Sequence, residues 1–232
     1  MAEEQKKPKK RMTATQAAAS IGPMVKEFIV GTNRARSEGK QKLAYTFIVC
    51  HLEEILLALD VLPVWTENFA GICGAKRDAE RFLQRAESLG LSRSLCTYAL
   101  CGIGFDQWRE ELGQMPPNAP WGGMARPDFM ISSGQILCDP RTKWYQASQQ
   151  FMPDVPIYDM DLPYPMFERD MDYRDVWGYY HKYVVKELRG LVAFVEEQTG
   201  KKMDYDRLRE IVDLSDRTWN LIHETYELRR AV

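Results

Sequence analysis

Five cysteines are the side chains of this sequence best suited to chemistry, and all lie in the first two-thirds of the chain. They are Cys50, Cys73, Cys96, Cys101 and Cys138. No two of them form a CxxC pair, so the sequence gives no support for a zinc ribbon or a thioredoxin-like motif. An odd number of cysteines and a lysine-rich start without a secretory signal argue against a disulfide framework. Two interpretations stay open: small buried core residues, or thiolates gathered around a metal ion or cluster.

Four of these cysteines are expected at one edge of the fold. Cys50 ends a predicted strand, Cys73 follows a second strand, Cys96 begins a helix and Cys138 follows a third strand. Strand ends and helix starts form the edge where α/β proteins bind ligands, and a helix N-terminus stabilises a thiolate. On spacing alone, the commoner outcome is still small buried side chains at crowded turns.

The other polar candidates are weaker. Glu54 follows Glu53 at the start of a predicted helix near the same edge, and it is the candidate catalytic acid or base. Carboxylates at helix starts are nevertheless commoner as partners of the helix dipole. The three histidines are too scattered for a metal site. Gly102-Ile103-Gly104 lacks the third glycine of a dinucleotide fingerprint, and no GxxxxGK[ST] loop predicts ATP binding.

Composition narrows the class of protein. The chain has 232 residues, of which 45% are hydrophobic, and a formal net charge of -2. A near-neutral charge argues against a dedicated nucleic-acid binder. No run approaches the ~18 apolar residues that a membrane span needs. These features predict a folded cytoplasmic protein that binds neither nucleic acid nor membrane.

Hydrophobic patterning predicts the elements that position the cysteines. A helix is expected from residue 13 to the glycine at 39, interrupted at Gly22-Pro23. Apolar runs predict strands at 43–50, 62–66, 128–133 and 155–160. Periodic stretches predict helices at 52–59, 75–89 and 96–112, after a cap at Asp139, and at 171–198 and 204–230. This alternation indicates an α/β fold, a doubly wound (Rossmann-like) parallel sheet with an N-terminal helix and two long C-terminal helices.

The same patterning suggests three regions. Residues 1–12 form a disordered basic tail, residues 13–165 an α/β domain, and residues 166–232 a helical extension. The last helix carries an apolar stripe of Leu208, Ile211, Ser215, Trp219, Ile222 and Tyr226. Nothing follows for this stripe to cover, so we expect a second domain absent from this chain, or a partner subunit, to pack there.

Three separated motifs occur in an order typical of one family. They are PVWTENFAGICGAKR at 63–77, LCTYALCGIGF at 95–105 and CDPRTKWYQ at 138–146. With them, residues 13–165 resemble the 2-hydroxyacyl-CoA dehydratase/benzoyl-CoA reductase family, and most closely the N-terminal half of an iron–sulfur subunit of ATP-dependent benzoyl-CoA reductase.

The resemblance implies a [4Fe-4S] cluster held by three cysteines between two doubly wound domains. Cys73 and Cys96 match two ligand positions, and the third ligand is expected in the missing second domain. Cys138 matches a position near the cluster and not on it. Cys101 and Cys50 have no clear counterpart among the ligands.

The resemblance also implies a function. The chain would be a subunit of an oxygen-sensitive oxidoreductase of anaerobic aromatic degradation, in which ATP-driven, low-potential electron transfer reduces the ring of benzoyl-CoA. Implied partners are a homologous cluster-bearing subunit, ATP-hydrolysing activator subunits, ferredoxin as electron donor and an acyl-CoA substrate. One alternative is a 2-hydroxyacyl-CoA dehydratase subunit that works through a ketyl radical. Another is a non-catalytic α/β scaffold that binds a CoA ester or a partner subunit.

Overall fold

The computed structural model describes residues 15–48, 52–132, 138–163, 172–228 and 230. The predicted tail at 1–12 and Cys50 lie outside these residues. The strands are β1 (Lys42–Thr46), β2 (Val61–Trp65), β3 (Phe129–Ser132) and β4 (Ile157–Asp159). The helices are α1 (Gln16–Glu38), α2 (Glu53–Ala58), α3 (Thr66–Ala75), α4 (Glu80–Ser88), α5 (Thr97–Leu112), α6 (Asp139–Gln149), α7 (Tyr173–Thr199) and α8 (Tyr205–Leu228), with a short 3-10 turn at Pro120–Gly122.

The strands form one parallel sheet in the order β2-β1-β3-β4. On one face, Tyr45 and Phe47 contact side chains of α5 and α6. On the other face, Phe129 packs against Phe194 of α7 at 5.5 Å, and Trp65 donates a hydrogen bond to Glu53 of α2. Helices therefore cover both faces, as right-handed crossovers in both directions from β1 require. The predicted doubly wound α/β fold is confirmed.

Two predicted helices differ in the structure. The interruption of α1 at Gly22-Pro23 is wrong, because the helix runs unbroken through Pro23, from a Thr15 cap to Gly39 in the left-handed conformation. A proline removes a single helix hydrogen bond, and the turns on either side of it persist here. In the part of the chain that the structure describes, no helix combines the length and the apolar character needed to cross a membrane.

The predicted helix at 75–89 corresponds to α4, and the helix before it, α3, was not predicted. The start of the predicted helix is wrong because α3 begins directly after β2 and ends at Ala75, and α4 begins only at Glu80. Arg77 adopts a positive φ of 56°, which breaks the helix between them. Gly71 and Gly74 lower the helix propensity of this stretch, so the sequence pattern concealed α3. The predicted cap at Asp139 is also wrong by one residue, because Cys138 occupies the N-cap of α6.

A buried polar network joins the sheet to α5 and α6. The carboxylate of Asp106 accepts hydrogen bonds from Tyr45 Oη at 2.9 Å and from Ser148 Oγ at 3.0 Å. Arg109 lies 3.1 Å from the same carboxylate and donates to Tyr45 Oη at 2.6 Å. Burial raises the pKa of Tyr45, so the phenol stays neutral and can donate. The network therefore neutralises and hydrogen-bonds every charge that it buries.

Helices α7 and α8 are attached to the domain near their connection. Asp60 accepts hydrogen bonds from Lys201 Nζ at 2.7 Å and from Arg207 Nη2 at 2.6 Å. The first half of α8 packs on α2, where Ser215 Oγ donates to Glu54 at 2.6 Å. The rest of α8 extends beyond α2 and is exposed.

We expect Asp106→Ala to lower the free energy of unfolding by about 3 kcal/mol, because the substitution removes the shared acceptor of Tyr45 and Ser148 and leaves the buried Arg109 with Glu110 as its remaining carboxylate partner. Urea denaturation followed by circular dichroism measures this loss. Asp154→Ala, which removes an exposed partner of Arg126, is the matched control and should change the midpoint little. Equal midpoints for the two variants would contradict a central role for Asp106.

We expect the attachment of α8 to weaken in acid. The hydrogen bonds from Lys201 and Arg207 lower the pKa of Asp60, so its contribution is present above the ordinary aspartate pKa and is lost as the pH falls through the lowered value. Amide hydrogen exchange of residues 205–215 should therefore accelerate over that interval. Asp60→Asn keeps the left-handed conformation at this position (φ 58°) and should exchange fast at neutral pH, without the acid step.

Candidate functional site

Helices α3 and α5 bring two of the cysteines together. The helices pack through Phe69 and Phe105, whose rings are 4.6 Å apart. Cys73 and Cys101 lie in this interface with exposed fractions of 0% and 1%. Hydrogen bonding between the Cys101 and Cys73 thiols, together with burial, raises the pKa of Cys101. The predicted position of Cys73 at a strand end is therefore wrong: it lies near the C-terminal end of α3.

Cys96 does lie at a helix start, as predicted. It is the N-cap residue of α5, it is half-buried, and its carbonyl accepts a hydrogen bond from the Leu100 amide at 2.9 Å. Its side chain forms no capping hydrogen bond. The thiol is therefore close to the unpaired N–H groups of the first turn, which favour negative charge.

A surface cleft of about 410 Å³ lies between α3, α4 and the first turn of α5. Its walls include Thr97 and Tyr98, which follow Cys96, and Gly71 and Gly74, which flank Cys73. Cys101 also contributes to the lining. The cleft thus places the chain neighbours of both predicted ligand cysteines opposite one another.

The remaining predicted residues lie elsewhere. Cys138 is exposed at the N-cap of α6. Glu54 lies in α2, on the face of the sheet opposite to α5, where its carboxylate accepts the hydrogen bond from Ser215. The structure therefore does not bring Glu54 together with Cys73 and Cys101.

The cysteines fit part of a cluster site. A [4Fe-4S] cluster needs three or four protein ligands, usually thiolates. Within the described ranges, no group of three or more His, Cys, Asp or Glu side chains is close enough to hold a metal ion. Cys101 itself lines the cleft, whereas Cys73 and Cys96 are represented there only by their chain neighbours, so the described residues alone do not complete a cluster site.

Sequence reasoning missed an ion pair at the carboxyl end of β1. Glu67, in the first turn of α3, accepts hydrogen bonds from the Ile48 amide at 3.1 Å and from Arg141 at 2.7 Å. Arg141, in the first turn of α6, also donates to the Ile48 carbonyl at 2.9 Å. The pair ties α3 and α6 to the end of β1. The sequence held one indication of this pair: Glu67 and Arg141 each lie in a family motif that follows a predicted strand.

Among the residues that the structure describes, three buried polar atoms near this edge lack a hydrogen-bond partner: Thr46 Oγ1, Ser132 Oγ and Trp144 Nε1. Thr46 and Ser132 are the last residues of β1 and β3, and Trp144 lies in α6. Buried polar groups are nearly always paired in folded proteins, so unpaired ones at a sheet's carboxyl edge indicate a place where a ligand can bind.

We expect alkylation to distinguish the cysteines. In the native, metal-free chain, iodoacetamide should modify Cys138 fastest and Cys96 more slowly, because these thiols are exposed and half-buried. Cys73 and Cys101 should react only when the chain opens, because both are buried. Peptide mapping by mass spectrometry assigns the rate to each residue. Labelling of Cys73 as fast as Cys138 would contradict the burial seen here.

Comparison with known proteins shows the family to which this chain belongs. The matching family model describes the 2-hydroxyglutaryl-CoA dehydratase D-component and covers residues 49–232. The chain is 26% identical to the (R)-phenyllactyl-CoA dehydratase alpha subunit of Clostridium sporogenes, over 70% of this chain and 36% of that protein. It is 24% identical to the lactoyl-CoA dehydratase subunit alpha of Anaerotignum propionicum, over 74% of this chain and 41% of that protein.

A third relative has a different activity in its name. The chain is 27% identical to a benzoyl-CoA reductase subunit of Thauera aromatica, over 80% of this chain and 40% of that protein. The chain therefore spans less than half the length of these relatives. Because the family model matches most of the chain, the protein belongs to the 2-hydroxyglutaryl-CoA dehydratase D-component family, the class of 2-hydroxyacyl-CoA dehydratase and benzoyl-CoA reductase subunits.

Proposed function

We propose that this chain is part of a subunit of an ATP-driven benzoyl-CoA reductase, which reduces the aromatic ring of benzoyl-CoA in anaerobic aromatic degradation. The observation that carries the proposal is the shared cleft, whose lining includes the neighbours of Cys73 and of Cys96. The benzoyl-CoA reductase subunit of Thauera aromatica, which matches over 80% of this chain, supports the choice of substrate.

The proposed cofactor is a [4Fe-4S] cluster with Cys73 and Cys96 as two ligands and a third from the second half of the protein. Such a cluster, with an incomplete set of protein ligands, supplies low-potential electrons close to the substrate. Cys101 would orient Cys73 through their hydrogen bond. Cys138 would lie near the cluster, and Glu67 with Arg141 would fix the edge of the sheet.

The three helices that form this cleft rest on an apolar core. Phe69, Phe82 and Phe105 form a buried edge-to-face cluster under α3, α4 and α5. An apolar environment limits access of protons to a reduced centre, which supports strongly reducing chemistry. Glu54 stays the candidate acid or base in this proposal. Because Glu54 is hydrogen-bonded to Ser215 on the face of the sheet opposite to α5, this role requires that the substrate reach that face.

The remaining partners are also proposals. They are a homologous cluster-bearing subunit, ATP-hydrolysing activator subunits, ferredoxin as electron donor and a bound acyl-CoA. ATP would act on a separate subunit, because this sequence has no phosphate-binding P-loop. Helices α7 and α8 would lead to the second half of the protein, with the exposed side of α8 that carries Ile222 and Trp219 turned toward it.

A dehydratase is the second candidate function. The family model and the relatives from Clostridium sporogenes and Anaerotignum propionicum are named as dehydratases of 2-hydroxyacyl-CoA esters. Both reactions require an electron delivered to a CoA thioester, so the same cleft suits either. Consumption of benzoyl-CoA, compared with a 2-hydroxyacyl-CoA, by the complete complex with ATP and reduced ferredoxin separates them.

We expect Cys73→Ser and Cys96→Ser to lower the iron and acid-labile sulfide of the complex purified without oxygen, because each removes a proposed ligand. Cys101→Ser keeps a hydrogen-bond donor to Cys73 and should change the iron content little. Cys138→Ser, at an exposed position, is the matched control.

Equal iron loss in all four variants would refute this ligand assignment. Absence of iron and sulfide from the wild-type complex would favour the third interpretation, a non-catalytic scaffold that binds a CoA ester or a partner.

A further inference from the structure

The second half of α8 has an exposed side, distinct from the side that carries Trp219 and Ile222, that the proposed enzymatic role does not explain. Every residue from 216 to 228 is exposed, whereas residues 208, 211 and 215 lie against the domain. Leu214, Leu221 and Leu228 have exposed fractions of 61%, 57% and 70%. Three aligned leucines on one helix form a continuous apolar strip, unlike the scattered single hydrophobic residues that are normal on a monomer.

These leucines follow a heptad repeat. Leucine occupies the fourth position at 214, 221 and 228, and a β-branched residue occupies the first position at 211, 218 and 225. A repeat of seven with leucine at the fourth position is the spacing of a coiled-coil seam, and threonine at the first position keeps that seam narrow. We call the exposed part of this repeat the leucine face: Leu214, Thr218, Leu221, Thr225 and Leu228.

The hydroxyl groups of the two threonines of the leucine face are hydrogen-bonded within α8. Thr218 Oγ1 donates to the Leu214 carbonyl at 2.8 Å, and Thr225 Oγ1 donates to the Leu221 carbonyl at 2.8 Å. Each hydroxyl is thus hydrogen-bonded within α8 itself. A partner helix can cover these side chains without leaving a polar group unpaired.

We propose that the leucine face binds the same face of a second copy of this chain, as an antiparallel two-helix coiled coil. In this arrangement Leu221 packs against the partner's Thr218, and Leu214 against the partner's Thr225. Each of these layers pairs one large side chain with one small one, whereas Leu228 lies at the end of the contact, toward the partner's Ile211. The contact is isologous, so it closes as a dimer with two-fold symmetry.

The charges beside the leucine face select the antiparallel direction. Arg217 and Glu224 occupy the seventh position of successive heptads. In an antiparallel pair, seventh positions lie opposite seventh positions, so Arg217 faces the partner's Glu224 and the reverse pair forms as well. In a parallel pair, Arg217 would instead face Ile222 of the second copy and gain no ion pair.

The attachment of α8 agrees with the same direction. Its first half is bound to α2, and only the later residues extend away from the domain. Antiparallel pairing of the extended halves places the two domains at opposite ends of the coiled coil. Parallel pairing would bring both domains to the same end, where they would compete for space.

Sedimentation of the full chain over a wide concentration range tests the proposal. We expect a reversible dimer for the wild type and a dissociation constant raised about tenfold or more by Leu221→Glu, because the new charge would be buried at the centre of the coiled coil. Asn220→Glu adds the same charge on the polar side of α8 and should leave the dimer intact. Circular dichroism establishes that both variants are folded.

A charge exchange identifies the second copy as the partner. Arg217→Glu and Glu224→Arg should each dimerise poorly alone, because each places like charges opposite one another. An equal mixture of the two variants should dimerise as the wild type does, because both cross-pairs become attractive again. A wild type that is monomeric at every concentration would overturn the proposal and assign the leucine face to another polypeptide. A mixture that stays monomeric, or Leu221→Glu without effect, would also overturn it.

Discussion

The buried carboxylate of Asp106 is the interaction on which one face of this domain depends. It is completely enclosed, and its charge is tolerable only because Arg109, Tyr45 and Ser148 surround it. These residues belong to α5, β1 and α6, so one carboxylate fixes two helices on the central strand. Burying a charge is costly without partners, and the fold must bring all of them together at once. The position of α5 follows from this requirement.

The position of α5 in turn decides where the cysteines lie. Gly102 and Gly104 let the helix approach its neighbours closely: a Cβ atom at Gly102 would collide with the Trp144 ring, and one at Gly104 with the Phe82 carbonyl. The helix is therefore pressed between α4 and α6. Its start presents Cys96 beside the cleft, and one turn later Cys101 meets Cys73. Two glycines without a nucleotide-binding role thus serve the packing that shapes the proposed cluster site.

The cleft between α3, α4 and α5 and the exposed sides of α8 are the two places where we propose a further binding partner. At the cleft, the described residues hold no group of three or more metal-binding side chains, so the proposed cluster would need a ligand from elsewhere. On α8, apolar side chains cover two adjoining sides of one helix, more than α2 can bury. The proposed second half and the proposed second copy would use different sides, so neither role excludes the other.

The sequence by itself determined the parallel α/β class, the four strands, the helices other than α3, and the family. Apolar runs and helical periodicity are local signals that a sequence shows directly. The three motifs can be recognised in their order even though the chain has low sequence identity to its relatives. Only the tertiary structure decided that Cys73 contacts Cys101, that Glu54 binds Ser215, and that Glu67 pairs with Arg141. The last pair is separated by 74 positions, and no local pattern reports such a contact. Periodicity shows which side of a helix is apolar. Which element packs against that side is decided by close approach at glycines and by the pairing of buried charged side chains.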